Sequence, residues 1–379
     1  MNFDYVVAPV LIVMAAICVS WFCLRRMLVH VNRYGKWRRI TERVVLSLVI
    51  VLAAAAAGST AFNAVAIHHY RATNPPPGKL YAIDGYKMHI YCTGNGSPTL
   101  VLEAGGGEDW LIWSEVQPEL SRTTRVCSYD RAGFGWSDPR PAPRDANQIA
   151  DELHQLLTQA GITGPIVLMG HSIAGLYIRA YAMRHPQDLS GLIFVDASTP
   201  LQDDNPAMKA ASSHIRALMF LEKAALVTGI LRMLGVCSHP TEGLDAKTNR
   251  MLGEDICGVS IGNAVGEIDN FHQSGEETIH SGPFGALPIL IFSEDPSLPH
   301  PLQLRLSPKL ERDVATQWNQ MQEDLKGLST RSRRIIARGS THIVQIDRPD
   351  LINREVPIFI EQIRGNVAQP ADYGSTKTE

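Results

Sequence analysis

The chain has 379 residues, of which 45% are hydrophobic and 19% are charged, and its formal net charge is -3. This composition is typical of a globular protein with an additional apolar part, and the length allows one large domain and a smaller segment. Residues 1–71 hold eight Arg or Lys residues and two acidic residues, so the rest of the chain is acidic. An acidic main body without a basic stripe excludes nucleic acid as an expected partner.

Two uncharged apolar runs, at about residues 6–24 and 44–67, each approach or exceed the roughly 20 residues that cross a bilayer. A cleaved signal peptide is the alternative for the first run, but the positive charges of a signal peptide precede its apolar residues and here they follow. A buried core helix is the alternative for the second run, although no charged residue interrupts it. The sequence therefore predicts a membrane anchor over residues 1–70 with two transmembrane helices.

The loop between the two runs is rich in Arg and Lys and holds a single acidic residue, Glu42. The positive-inside rule predicts that this loop is cytoplasmic. Both termini, and everything after His68, are then expected on the extracytoplasmic side of the cytoplasmic membrane. Residues 71–79 include three consecutive prolines and predict a stiff linker to the next domain.

Strand patterns alternate with helical patterns beyond the linker. Strands are predicted at 79–83, 87–92, 99–102, 125–129, 165–169, 189–196, 288–292 and 334–337, and helices at 146–161 and 350–363. Residues 200–284 have helical patterns only, and residues 366–379 are expected to be a disordered tail. This alternation predicts an α/β fold, with a mostly parallel sheet covered on both faces, a core at 80–199 and 285–365, and a helical lid at 200–284.

The segment Gly170-His171-Ser172-Ile173-Ala174-Gly175 lies between a short apolar run and a helical pattern. Small residues around the serine favour a sharp strand–turn–helix, in which the hydroxyl is exposed and the N–H groups of the new helix face it. This is the layout of a nucleophile elbow, G-x-S-x-G, except that Ala174 replaces the last glycine and Gly175 comes one position later. A serine that caps a helix is the alternative interpretation.

Four separated segments resemble the α/β-hydrolase fold superfamily, in the right order, over about residues 80–364. They are VLEAGG at 101–106, YDRAGFGWSDP at 129–139, GHS at 170–172 and GSTH at 339–342. The second segment is similar to members related to prolyl aminopeptidases, peroxidase-like hydrolases and small-ester hydrolases. The resemblance implies the α/β-hydrolase fold and serine-hydrolase chemistry, and the two membrane helices lie outside it.

The resemblance implies that Ser172 is the nucleophile and that His342, which follows the last strand, is the general base. The acid that orients this base is expected at Asp295, one position before the usual place in the family. Glu294 and Asp196, at the ends of two strands, remain alternatives for the acid.

The resemblance implies that the oxyanion hole consists of the backbone N–H groups of Ile173 and Gly106, since Ala104-Gly105 stands where the family often has His-Gly. Three consecutive glycines also let the backbone approach a substrate oxygen. A flexible turn is the alternative for the three glycines. Phosphate binding is excluded, since no Gly-Lys-Ser/Thr follows them. His171 is expected to pack or orient, and Asp130 and Ser137 are expected to hold the loop after their strand together.

Two of the six cysteines, Cys18 and Cys23, fall in the first predicted membrane helix, and the other four fall on the side predicted to be oxidising. The second and fourth strands are neighbours in this fold, which implies a disulfide Cys92–Cys127. Cys237 and Cys257 both lie in the lid and are the second predicted pair. Buried free thiols are the alternative. The scattered spacing predicts no metal site, and no cofactor is implied.

The leading hypothesis is a membrane-anchored serine hydrolase that cleaves a carboxylic ester outside the cytoplasm. Apolar runs in the lid, at 217–221 and 224–234, are expected to cover the serine and line an acyl pocket, which favours a lipid-like or hydrophobic ester. An amidase or aminopeptidase of the same fold is the alternative, and a catalytically silent binding protein is a further one. The sequence leaves the oligomeric state open.

Overall fold

The chain divides into two compact units in a computed structural model. The first unit comprises residues 1–75, 220–240 and 249–262, and the second comprises residues 76–219, 241–248 and 263–379. The structure describes residues 7–140, 143–238, 244–258, 260–298, 307–368 and 373–379.

The first unit contains two long helices, α1 (Ala8–Val29) and α2 (Lys36–Thr73), which pack against each other. Both are long and apolar enough to cross a membrane, and little of their most apolar stretches is buried within the protein. The predicted run 44–67 lies inside α2, which continues into the first residues of the predicted linker because residues 71–73 remain helical.

The second unit is built on a sheet with the strand order β1-β2-β4-β3-β5-β6-β7-β8-β9. The strands are β1 (Lys79–Ile83), β2 (Tyr86–Thr93), β3 (Thr99–Glu103), β4 (Val126–Tyr129), β5 (Ile166–His171), β6 (Leu189–Val195), β7 (Ile289–Ser293), β8 (Ser332–Ile336) and β9 (Thr376–Thr378). The pairs β1–β2 and β2–β4 are antiparallel, and the remaining neighbours are parallel. The predicted α/β fold with a mostly parallel sheet is confirmed.

Helices connect the strands and also make up the region predicted as a lid, residues 200–284. They are α3 (Gln117–Leu120), α4 (Ala146–Gln159), α5 (Ala174–Arg184), α6 (Pro206–Val227), α7 (Ile230–Met233), α8 (Ala246–Ile256), α9 (Ser260–Asp269), α10 (Phe271–Thr278), α11 (Pro308–Asp324), α12 (Val344–Asp347) and α13 (Pro349–Arg364).

The sheet is buried on both faces, because successive side chains of a strand point to opposite sides. Val101 and Leu168 belong to a core cluster that includes residues of α4 and α5. Val167 and Met169 belong to a second cluster that includes residues of α13. Strands covered on both faces are near-continuous apolar runs, which is why their positions could be predicted from sequence.

Two elements differ from the sequence prediction. Helix α11 was not predicted, although Ser307 caps it and its apolar residues Val314, Trp318 and Met321 recur at helical spacing. The tail was predicted to be disordered, but β9 pairs in parallel with β8 at the edge of the sheet. The backbone hydrogen bonds of this pairing order a segment whose polar composition gives no such indication.

Candidate active site

Ser172 occupies the turn between β5 and α5, and its φ of 55° lies in the left-handed region. The Ser172 N–H donates to the Val195 carbonyl at 3.1 Å, and its carbonyl accepts from the Gly175 N–H at 2.9 Å and the Ser198 N–H at 2.8 Å. These bonds hold the strained turn at the end of the strand, with the first residues of α5 directly behind it. The strand–turn–helix layout predicted for the elbow is present.

The displaced last glycine of the motif has a physical explanation. A Cβ added to Gly175 would lie 2.5 Å from the Ser198 carbonyl oxygen, so this position, and not the one before it, requires glycine. The methyl group of Ala174 faces Gly170, where an added Cβ would approach it to 3.2 Å. The alanine is accommodated because the residue opposite has no side chain.

His342 lies between a hydroxyl and a carboxylate. Its Nε2 is 2.9 Å from Ser172 Oγ, and its Nδ1 is 2.6 Å from Asp196 Oδ2. Asp196 is fully buried and also accepts hydrogen bonds from Trp318 Nε1 at 3.0 Å and from the Glu294 N–H at 3.0 Å. A carboxyl group that accepts several hydrogen bonds is stabilised in its ionised form. The Asp196 carboxylate therefore keeps the proton of His342 on Nδ1, and Nε2 is left to accept from the Ser172 hydroxyl.

The prediction that Asp295 orients His342 is wrong, and the alternative Asp196 occupies that place. Asp295 accepts from the Gly339 N–H at 2.9 Å and from Ser297, which lowers the pKa of its carboxyl. The Asp295 N–H donates to the Ser340 carbonyl at 2.9 Å. Asp295 therefore braces the turn before the histidine from the end of β7, one strand beyond Asp196.

Glu294, the other alternative, is buried next to Asp196 and does not take the place of the acid. Burial raises the pKa of Glu294 first, and the charges of Asp196 and Asp295 raise it further. Within the described residues, its Oε2 has no hydrogen-bond partner. The raised pKa favours the protonated form of Glu294, next to Asp196, whose oxygens accept from three donors.

His171 links the glycine loop to the loop that carries the base. Its Nδ1 is 2.9 Å from Glu108 Oε2 and its Nε2 is 3.0 Å from the His342 carbonyl oxygen. Both partners are acceptors, so both ring nitrogens donate, as in an imidazolium. Burial alone would lower the pKa of His171, but the Glu108 carboxylate and the His342 carbonyl raise it. This agrees with the expectation that His171 orients and is not the base.

The glycine loop follows β3 and faces the elbow. Gly106 and Ile173 line the same cavity as Ser172, and a Cβ added to Gly106 would lie 3.5 Å from Ile173 Cγ2. Among the described residues, neither the Gly106 N–H nor the Ile173 N–H donates a hydrogen bond to another residue. Both amides therefore remain as donors for an oxygen next to Ser172.

A buried ion-pair network that the sequence did not reveal holds the glycine loop. The Arg131 guanidinium donates to the carbonyls of Ala104 and Gly105 at 2.6 and 2.7 Å. It also pairs with Glu103 at 2.8 Å. On the other side it pairs with both carboxylate oxygens of Glu267, from helix α9, at 2.6 and 2.9 Å. Arg131 and Glu103 lie in two of the family-like segments, but Glu267 lies in the predicted lid, far from both in sequence, so the network could not be predicted.

The neighbouring loop is organised by Asp130 and Ser137. Asp130 accepts from the N–H groups of Trp110 and Trp136 at 2.9 Å each and lies 2.7 Å from His89 Nδ1. The Ser137 hydroxyl donates to the Asp130 carbonyl at 2.7 Å. These contacts agree with the expected structural role of both residues.

A cavity of about 490 Å³ lies over Ser172 and His342. Its lid-derived walls are polar as well as apolar, and include Gln202, Asp203, Asp204, Lys209, Ser212, Ser213, Arg216, Ile268, Phe271 and His272. The predicted lining by residues 224–234 is wrong, since none of them borders this cavity. The side chains at 217–223 lie outside the described residues.

Both predicted disulfides, Cys92–Cys127 and Cys237–Cys257, are present. Cys92 and Cys127 are directly opposite each other in the β2–β4 ladder. Cys18 and Cys23 are free thiols in α1.

Two groups of side chains in the described part of the chain have ligand-type atoms within 4.8 Å of one another. One is the set formed by Asp196, Glu294 and His342, whose atoms belong to the hydrogen bonds described above. The other, His154, His185 and Asp188, lies at the opposite end of α5 from the elbow, where the two histidine rings stack 3.8 Å apart. The absence of a metal stays a prediction.

Comparisons with known proteins agree with this architecture. Residues 98–227 match the family described as alpha/beta hydrolase fold. A hydrolase-superfamily protein of Gibberella zeae is 24% identical over 292 residues, which cover 70% of this chain and 87% of that protein. An uncharacterized vacuolar membrane protein of Saccharomyces cerevisiae is 28% identical over 130 residues, 30% of this chain and 20% of that protein. An uncharacterized protein of Schizosaccharomyces pombe is 32% identical over 191 residues, 42% of this chain.

The chain spans 35% of the length of the Schizosaccharomyces pombe protein, and 16% and 51% of relatives from Hormonema carpetanum and Bacillus subtilis. Among solved structures, a thermophilic esterase from Thermogutta terrifontis has a TM-score of 0.55 at 20% identity, over 75% of this chain and 97% of that one. An enol-lactonase from Burkholderia xenovorans has a TM-score of 0.51 at 20% identity, over 74% and 99%. These likenesses show that the globular part has the α/β-hydrolase fold.

Proposed function

We propose that this chain, which belongs to the α/β-hydrolase fold superfamily, is a membrane-anchored serine hydrolase that cleaves a carboxylic ester. The observation that carries the proposal is the unbroken series of contacts from Ser172 Oγ to His342 Nε2 at 2.9 Å, and from His342 Nδ1 to Asp196 Oδ2 at 2.6 Å. A nucleophile, a base and an acid within hydrogen-bond distance of one another are what acyl transfer requires.

In the first half of the reaction, Ser172 Oγ attacks the ester carbonyl carbon while His342 Nε2 takes the hydroxyl proton. The Asp196 carboxylate stabilises the resulting imidazolium. When the tetrahedral intermediate collapses, the bond to the alcohol oxygen breaks and His342 returns the proton to the leaving alkoxide. The products of this half are an acyl-serine and a free alcohol.

Water completes the cycle by the same route. His342 takes a proton from a water molecule, which attacks the acyl-serine, and then returns a proton to Ser172 Oγ as the carboxylic acid leaves. In both halves the developing oxyanion accepts from the N–H groups of Gly106 and Ile173, next to the N-terminus of α5. Donors that are already in position stabilise this charge without reorganisation.

A cavity of about 490 Å³ with both apolar and charged walls supports an amphipathic, lipid-like or hydrophobic ester. An aminopeptidase needs a carboxylate for the substrate amine, and Asp203 and Asp204 border the cavity. However, burial raises the pKa of Asp203, and Lys209 and Arg216 border the same cavity. The ester is therefore preferred, and the amide remains the second candidate.

The membrane part of the proposal has two spanning helices, with the catalytic domain on the extracytoplasmic side. It is supported by the length and apolar composition of α1 and α2, by the basic residues between them, and by two disulfides in the chain after them. A reporter enzyme fused after residue 80 should be active only when it is exported. Activity only in the cytoplasm would reverse the assigned orientation.

The catalytic part is tested by labelling membranes that contain the full-length protein with a fluorophosphonate probe, which reacts with activated serines. We expect labelling of the wild type and none of Ser172→Ala. Ser198→Ala is the matched control, because Ser198 borders the same cavity. This control variant should still be labelled.

Substrate class follows from comparing p-nitrophenyl esters of increasing chain length with amino-acid p-nitroanilides. Turnover of esters that depends on Ser172 supports the proposal, and faster turnover of the anilides would move the function to an amidase or aminopeptidase. Neither labelling nor turnover would favour a catalytically silent binding protein.

A further inference from the structure

A polar patch interrupts the apolar surface of α2. Ser59, Thr60 and Asn63 are buried, with 6%, 0% and 3% of their surface exposed. The surrounding apolar side chains of the same helix, such as Phe62 and Val65, are more than half exposed. Polar side chains inside a membrane segment cost free energy unless they have partners, so the partners of this patch indicate its role.

Two of the three side chains, Ser59 and Asn63, have partners in the lid, at the end of α6 and the start of α7, whereas the Thr60 hydroxyl donates to the Ala56 carbonyl of its own helix at 2.8 Å. The Ser59 hydroxyl donates to the Thr228 carbonyl at 2.6 Å. Asn63 Nδ2 donates to the Leu226 carbonyl at 3.0 Å, and Asn63 Oδ1 accepts from Arg232 Nε at 2.8 Å. The last carbonyls of a helix have no partners within the helix. The Leu226 carbonyl accepts from the Gly229 N–H at 2.9 Å, and α2 adds a second donor to it and a donor to the Thr228 carbonyl. Protein donors of this kind are what polar groups need among acyl chains.

The backbones of the two segments are in direct contact. Gly229, the residue between α6 and α7, has a φ of 72°, and an added Cβ would lie 2.7 Å from both Asn63 Cβ and the Ser59 carbonyl oxygen. Only glycine combines this conformation with this approach. Helix α2 is therefore specifically shaped to receive the lid segment.

The contact lies within the apolar stretch of α2. Asn63 comes eight residues before Arg71, the next Arg or Lys in the helix. At 1.5 Å per residue this separation is about 12 Å along the helix axis. If Arg71 lies at the headgroups, then Asn63 and the lid residues bound to it lie at the level of the upper acyl chains.

The lid segment presents apolar side chains outwards from this position. Ile230, Met233, Leu234 and Val236 are 45%, 66%, 69% and 43% exposed. The one charged side chain among them, Arg232, pairs with Glu254 at 2.8 Å. The exposed surface of this segment is therefore apolar, like that of the helix on which it docks.

We propose that residues 226–236 are a lipid-embedded part of the lid: they dock on the polar patch of α2 and contact acyl chains of the bilayer through Ile230, Met233, Leu234 and Val236. The occupant of this surface is the lipid that surrounds α2. The proposal rests on the membrane part of the proposed function, because the depth of the segment is set by the span of α2.

The test uses the full-length protein with Cys18→Ser and Cys23→Ser, reconstituted into phosphatidylcholine vesicles. Ile230→Cys or Leu234→Cys carries an environment-sensitive fluorophore, attached without reductant so that both disulfides remain. Leu52→Cys in α2 is the membrane control, and Val367→Cys is the matched exposed apolar position outside the first unit. All four positions are exposed, so a labelled cysteine does not disturb packing, and resistance to protease verifies the fold.

We expect nitroxide-labelled lipids to quench the fluorophore at 230 and 234 as strongly as at 52, and to leave position 367 unchanged. A nitroxide near the headgroup should quench position 234 more than one near the end of the chain. Quenching at 52 but not at 230 and 234 would overturn the proposal and leave the anchor intact.

Failure to quench position 52 would overturn the anchor together with the proposal. If the fluorophores at 230 and 234 are protected from lipid nitroxides and from aqueous iodide alike, a protein surface covers the segment, which also overturns the proposal.

Discussion

Replacing Asp196 by asparagine should abolish most of the activity. The carboxylate accepts from the Glu294 N–H on Oδ1, and from Trp318 Nε1 and His342 Nδ1 on Oδ2. An asparagine amide of the same size has one oxygen and one NH₂ group. In either orientation the NH₂ faces a donor, at Glu294 N–H or at Trp318 Nε1.

The orientation with NH₂ towards His342 also favours the tautomer with the proton on Nε2, which cannot accept from Ser172. Loss of the triad carboxylate costs about 10⁴-fold in kcat in well-studied serine proteases. Each tenfold change in rate corresponds to about 1.4 kcal/mol, so this loss corresponds to about 5–6 kcal/mol of transition-state stabilisation. We expect Asp196→Asn to fall in this range while KM changes little.

Asp295→Asn is the matched control, because it removes a carboxylate at the end of the next strand. Its amide oxygen can still accept from the Gly339 N–H, so the turn before His342 loses about one hydrogen bond of roughly 1 kcal/mol. We therefore expect a loss of at most about tenfold. The assay is kcat/KM on the best p-nitrophenyl ester, with thermal melts to verify folding. Equal losses in the two variants, or a larger loss in Asp295→Asn, would refute the assignment of the acid.

Three further predictions concern stability. Glu294→Gln should stabilise the protein relative to the wild type by an amount that grows from about pH 5 to pH 8. The folded-state pKa of Glu294 is raised, so the free energy of unfolding of the wild type falls by up to about 1.4 kcal/mol per pH unit above the unfolded-state pKa. A difference in melting temperature that stays constant over this pH range would contradict the prediction. Gly175→Ala puts a methyl carbon 2.5 Å from a backbone carbonyl and should cost about 1–3 kcal/mol and most of the fluorophosphonate labelling; unchanged melting and labelling would show that the turn can shift. Gly229→Ala should lower the melting temperature more than Gly235→Ala, because both have a positive φ but only Gly229 contacts Asn63, and equal shifts would argue against the tight lid contact.

The strands β1 to β8 and the elbow could be predicted from the sequence because their determinants are local. Buried strands are short apolar runs, and the small residues around Ser172 are needed for a turn with a positive φ. The two apolar helices are equally local features. Even the displaced glycine of the elbow is a local matter, since Gly175 and not Ala174 makes the close approach to the next loop.

The acid could not be predicted because its choice depends on contacts between distant segments. Asp196 and Asp295 follow neighbouring strands, and both positions suit a carboxylate that faces the base. The structure distinguishes them through Trp318, which donates to Asp196 from a helix that the sequence analysis did not identify. A pattern of apolar residues predicts that a segment avoids water, but it does not identify the surface or ligand that the segment contacts. For this reason the prediction that residues 224–234 line the substrate cavity was wrong.

Ser172 and Asp196 share an unfavourable backbone conformation, with φ values of 55° and 42° at the ends of two adjacent strands. A non-glycine residue in this region costs about 1–2 kcal/mol. Glycine would relieve this cost at both positions, but it would remove the hydroxyl and the carboxylate. A chain that keeps a hydroxyl and a carboxylate at two strained neighbouring positions gives up part of a marginal stability for them.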